Sequence, residues 1–157
     1  MPDRSARGSV LILVPAGVLV VIILAAIAVD MGVVYLGQRQ LADATVAAAN
    51  DAAGAGLSDS AFYRRGAVSL DPQRVSAVVC AAMRAQTGWG VRHLTVEVAV
   101  GGPAVAVRAR GLVDEVFGRT VPGLGAARPV RAEAQASAVS QNGARSPNLI
   151  DFHLLSC

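Results

Sequence analysis

The chain has no lysine: all 14 of its basic residues are arginine. GC-rich coding, which also favours alanine, glycine and valine, accounts for that bias. Charge of either sign is scarce at 16%, which excludes a disordered, self-repelling tail. Aromatics stand at 4%, and the arginines are scattered with no motif to organise them. A net charge of +3 therefore does not amount to a nucleic-acid surface. The two cysteines, Cys80 and Cys157, have no paired C-x-x-C spacing, so His93, His153 and the cysteines are not read as a zinc site. G-x-S-x-G, P-loop and H-E-x-x-H patterns are all missing. Gly101-Gly102 is followed by a proline and a strand pattern rather than a helix, which makes it a turn and not a phosphate cradle. These gaps point away from an enzyme, a cofactor and a small-molecule substrate.

What is present in excess is apolar surface, 54% of residues, concentrated near the N-terminus. Ser9 to Val29 is an uncharged run of 21 residues, 14 of them Val, Leu or Ile. As a helix it reaches roughly 32 Å, the thickness of a hydrocarbon core. Its insertion is favoured by about 6 kcal/mol before Pro15 and Gly17 subtract a little. Asp30 would cost about 3 kcal/mol at the bilayer centre, so it marks the border. Arg4 and Arg7 precede the run and only Arg39 follows closely, which places the N-terminus in the cytoplasm and the rest outside. A second reading is a leader cleaved at the A-x-A site after Ala28, although the run exceeds the roughly 7–15 residues of a leader's apolar core.

Beyond Asp30 the helical pattern continues. Val34, Leu41, Ala44, Ala48 and Ala52 form one stripe, and Tyr35 stands where an interfacial aromatic belongs. The helix should end near Gly54 or Gly56. Residues 57–71 read as a linker. Asp71-Pro72 is a helix start, and Val75, Val78, Val79, Ala82 and Met83 are the buried face of the helix that follows. The period then changes to two. Leu94, Val96, Val98 and Val100 share one face, with His93, Thr95 and Glu97 on the other. Matching parity across the Gly101-Gly102-Pro103 turn pairs Val98 with Val107 and Glu97 with Arg108. A third strand is expected at PVRAEAQASAV, where small alanines let a helix come close. The resulting sheet should have one face on the helices and one face wet. Residues 114–127 read as a glycine-rich loop.

The first 56 residues resemble the N-terminal domain of the TadG-like proteins of the tight-adherence (Flp) pilus system. The resemblance lies in Arg7-Gly8, Pro15 within the apolar run, Val29-Asp30 at its end, Tyr35, Arg39-Gln40-Leu41, Asp43-Ala44 and Asn50-Asp51-Ala52-Ala53. In outline the remainder is similar to the short TadE/TadG-like proteins. The resemblance implies a membrane-anchored, extracytoplasmic accessory of pilus assembly or a minor pilin-like subunit. The chain has no room for the von Willebrand-like region of longer TadG proteins, so metal-dependent adhesion is not implied. Gly8 and Ser9 match a prepilin processing site, but Leu13 stands where prepilins carry glutamate.

These readings combine into an α+β protein with a cytoplasmic N-terminus at 1–8, a transmembrane helix at 9–29 and a stalk helix at 30–56. A linker at 57–71, a small α+β domain with about three antiparallel strands at 72–140 and a tail at 141–157 follow. The expected role is non-enzymatic scaffolding with the lipid bilayer and other pilus-assembly or secretion membrane proteins as partners. Pro15, Gly17, Ala25, Ala26, Asp30, Gly32 and Leu41 are the candidate helix-packing residues. Cys80 and Cys157 are a candidate disulfide, contributing roughly 4 kcal/mol in the chain-entropy model. The rival functions are a secreted binding protein starting at Val29 and a generic extracytoplasmic anchor unrelated to pili.

Overall fold

The computed structural model describes residues 7–66, 68–86, 90–118, 127–139 and 153–155. Helix α1 runs unbroken from Arg7 to Ala55 with Pro15 inside it. Its 49 residues extend about 74 Å. Span and stalk are thus one element. No proline follows Pro15 before the chain leaves the helix, where the Gly56 N–H donates to the Ala52 carbonyl at 2.9 Å. A Cβ on Gly56 would lie 2.4 Å from that carbonyl and 2.6 Å from Val75 Cγ2, so the chain can leave the helix here only without a side chain.

The linker expected over 57–71 contains a helix, α2, from Asp59 to Arg65. Its signals are local. Ser58 caps the start by accepting the Ala61 N–H, Asp59 favours the first turn, and Gly66 ends it at φ 63° in the left-handed region. The segment is also closed on itself. Leu57 bridges Leu70, the Asp71 N–H donates to the Gly56 carbonyl, and Arg74 Nη1 donates to the Leu57 carbonyl. Helix α3 then runs from Pro72 to Gln86, and Asp71 Oδ1 accepts the Gln73 N–H at 2.9 Å, as a capping residue should. Val75, Val79 and Met83 are buried, with Val78 and Ala82 packed at the margin.

Strands β1 (Val91–Gly101), β2 (Ala104–Asp114) and β3 (Ala127–Ser137) form an antiparallel meander. Val98 faces Val107 and Glu97 faces Arg108, the register that the alternation requires. The β1–β2 turn has two residues, Gly102 and Pro103, because Gly101 already pairs with Ala104. Gly102 has φ 58° and Pro103 is confined to negative φ, a combination that fits a type II′ turn. A fourth strand, β4 (His153–Leu155), comes from the segment expected to be a tail. It adds to β1 and gives the order β3-β2-β1-β4.

Two further expectations change. The strict alternation in β1 breaks between Arg92 and Thr95, where the register shifts and His93 adopts φ 53°. Such an irregularity re-aims side chains and bends the strand. The face away from α1 is also not uniformly wet: Ala99, Ala104 and Ala106 are buried there beside the charged residues. The main core lies between the sheet and the two long helices. Leu41, Ala44, Ala48 and Ala52 of α1 meet Val75, Val79 and Met83 of α3 and the valines of β1 and β2. Ala132, Ala134 and Ala136 of β3 pack at its edge, where their small side chains admit α1.

Candidate functional site

The two halves of α1 have opposite surroundings. From Leu41 onward its inward stripe is sealed, with Leu41, Ala44, Ala48 and Ala52 at most 2% exposed. Between Leu13 and Val29 the helix is apolar and open to its surroundings: Leu13 is 71% exposed, Leu19 58% and Ile23 50%. This is one helix long and apolar enough to cross a membrane, and none of its apolar window is buried within the chain. An exposed apolar surface of that size marks a candidate membrane span or interaction site.

Asp30 stands at the change. Its Oδ1 accepts the backbone N–H groups of Val116 at 2.7 Å and Phe117 at 2.9 Å, and its Oδ2 accepts that of Gly118 at 2.9 Å. Successive N–H groups converging on one anion form a backbone nest, and each bond is charge-assisted. The carboxylate is thereby solvated by the chain at the end of the apolar segment, where it would otherwise need water. The same bonds fix the end of the sheet to one point on α1.

The grip continues up the helix. Gly37 lies against β2, and a Cβ there would come within 2.5 Å of Val113 Cγ2. One residue on, Gln38 uses its amide as a strand would use a peptide. Nε2 donates to the Arg131 carbonyl at 2.6 Å and Oε1 accepts the Arg131 N–H at 3.2 Å. This satisfies the open edge of β3, which is otherwise a template for unwanted pairing. Near the clasp, the 7%-exposed Glu115 accepts from Arg128 Nε at 2.5 Å. Its hydrogen bond and charge hold the Arg128 guanidinium above the usual arginine range. Gly118 packs on the same carboxylate, because a Cβ there would overlap Glu115 Oε2.

The candidate packing residues separate into two groups. At about 100° per residue, Gly17, Ala25 and Gly32 fall within about 80° of one another on one side of α1. No atom lies within 4 Å of a Cβ built on Gly17 or Gly32, so this face has close-approach room. Asp30, Leu41 and the half-buried Ala26 belong to the opposite side, which holds the domain. Pro15 is exposed within the apolar segment. Gly8 and Ser9 lie in the first turns of α1. Cys80 is disulfide-bonded. The sequence holds one other cysteine, Cys157, which lies outside the described residues.

Sequence reasoning placed Asp30 as a border but missed what it binds, since backbone donors in a loop carry no side-chain signature. It also missed Gln38 and Glu115. Gly37 did carry a usable signal: an isolated glycine in a helix costs about 1 kcal/mol and implies close packing. No family model, no curated protein and no solved structure matches this chain.

Proposed function

We propose that this chain is a single-pass membrane protein with its N-terminus in the cytoplasm and its α+β domain outside. In this reading it works as a non-enzymatic scaffold or minor subunit in assembly of a Flp-type pilus or related secretion apparatus. The observation that carries the anchor is the continuity of α1, apolar and uncovered up to Val29 and then built into the core. The pilus assignment rests on the resemblance in the first 56 residues. Partner helices in the membrane would dock on the Gly17, Ala25 and Gly32 side, which faces away from the domain.

The mature N-terminus, read from carbonate-washed membranes and from the medium of the producing cell, tests this. A start at Met1 or Pro2 in the membrane supports a permanent anchor. A start at Ser9 makes the chain a processed subunit able to leave the bilayer. A start at Val29 in the medium overturns the anchor. That secreted form has one observation in its favour: among the described residues, Asp30 is the first α1 side chain to hydrogen-bond the domain, so a cut after Ala28 leaves the clasp whole. Recovery of the membrane form with a secretion ATPase and platform protein after mild cross-linking would support the pilus reading, and consistent absence of both would refute it.

A further inference from the structure

The outer face of the sheet carries two adjacent rows of charge with different logic. In the upper row Glu133, Arg108 and Glu97 alternate across β3, β2 and β1, and Arg108 reaches both carboxylates, at 3.0 and 3.5 Å. In the row nearer the apolar end of α1, Arg131 stands directly opposite Arg110, which stands opposite Thr95. Like charges facing each other across strands are destabilising. Arg110 shares Glu97 at 3.7 Å, and among the described residues Arg131 has no carboxylate partner. His93, held at a left-handed φ of 53° that non-glycine residues seldom adopt, stands beside them. These four side chains surround an open hollow of about 530 Å³, with Leu112 and Pro129 forming an apolar sill toward the clasp. Among the described residues, no acidic side chain lines it.

Height identifies the occupant. Arg131 is bonded to Gln38, eight residues or about 12 Å along α1 from Asp30. Exposed apolar side chains continue past Asp30, with Met31, Tyr35 and Leu36 all more than half exposed. With the border at Asp30, the polar layer of a bilayer extends roughly 5–8 Å further out, past Met31 and Tyr35, and the long side chain of Arg131 can span the remaining distance. Two guanidinium forks, a hydroxyl and an imidazole around an open hollow suit a phosphate oxyanion. The sill suits the less polar glycerol end of a lipid.

We propose that the Arg110–Arg131–Thr95–His93 hollow binds a phosphate group, supplied by an anionic lipid headgroup of the bilayer that α1 spans. The proposal rests on the anchored reading. Full-length protein would be reconstituted into nanodiscs of phosphatidylcholine with and without phosphatidylglycerol, and the lipid retained on the chain measured by native mass spectrometry. Wild type should retain phosphatidylglycerol over phosphatidylcholine. Arg131→Gln should lower that retention about tenfold, the effect of losing one charge-assisted bond. Arg64→Gln, an equal charge change on α2 at the far end of α1, should leave it unchanged. A second arm titrates inorganic phosphate against the His93 imidazole signal in neutral detergent. A phosphate-dependent shift without phosphatidylglycerol retention supports a phosphate site but replaces the headgroup with a soluble phosphate ester. Equal retention by wild type and Arg131→Gln, with the His93 signal unmoved, overturns the proposal. Failure of the anchored reading itself would show separately, as release of the chain by carbonate.

Discussion

At the scale of single residues, Asp30 concentrates three charge-assisted bonds on one carboxylate. Asp30→Ala leaves three N–H groups without their acceptor and should destabilise the domain by about 2–4 kcal/mol, since each bond to a charged group is worth roughly 1.5–3 kcal/mol and water recovers part of the loss. Urea titration of the detergent-solubilised chain, followed by circular dichroism, measures this. Asp30→Asn keeps one acceptor oxygen and should fall between the two. Gly37→Val tests the close approach to Val113. Overpacking of this kind costs about 1–3 kcal/mol, and Val113→Ala in the same chain should restore part of it. If Gly37→Val alone leaves the midpoint unchanged, α1 does not lie against β2 as described. The Glu115–Arg128 pair makes a different forecast. A guanidinium whose folded pKa is raised contributes stability that is complete below its unfolded pKa and fades only as pH climbs past it. Arginine titrates so far into the alkaline range that this guanidinium should add no slope to a stability profile between pH 6 and 9, by roughly the reference ionisation of the residue.

At the scale of elements, the parts with a period were legible and the parts made by backbone were not. The stripe Leu41, Ala44, Ala48 and Ala52, the Asp71-Pro72 start of α3 and the Val98–Val107 register all follow from spacing and turn chemistry. β4 did not show because three residues are too few to display alternation, and its pairing partner lies far away in the chain. The displaced register at His93 is invisible for a related reason. An irregularity is a relation between two strands, whereas the sequence of one strand reads as unbroken alternation. Helix α2 was readable in principle from Ser58, Asp59 and Gly66, but seven residues offer less than two turns of pattern. The Asp30 clasp was half legible: the acid was conspicuous after an apolar run, and its three donors were peptide groups. Gln38 gives an element-level prediction. Gln38→Leu fills similar volume but strips both bonds from the β3 edge. Amide exchange at Arg131 should accelerate by about tenfold, the factor for roughly 1.4 kcal/mol of lost protection.

At the scale of the whole molecule, α1 serves two surroundings with no joint between them. From Leu13 to Val29 its large apolar side chains are exposed, and its second half is the spine on which the sheet and α3 assemble. Every side chain that ties the sheet to α1 by hydrogen bonds among the described residues, Asp30 and Gln38, lies past Val29. A chain beginning at Val29 should therefore keep the unfolding free energy of the full-length protein to within about 0.5 kcal/mol, as read by urea titration, and in the anchored reading should no longer sediment with membranes. A large fall in stability would mean that the apolar half contributes to the fold after all.

An uninterrupted helix also acts as a drive shaft. Rotation of the apolar segment about its axis must appear, undiminished, as rotation of the sheet, because no loop lies between them to absorb it. One residue inserted after Ala28 would advance the domain by about 100° and 1.5 Å relative to the Gly17, Ala25 and Gly32 side. Seven inserted residues would return it almost to its original angle, roughly 10 Å further out. Any assembly that reads the domain's bearing should thus fail and recover with helical phase as residues are added.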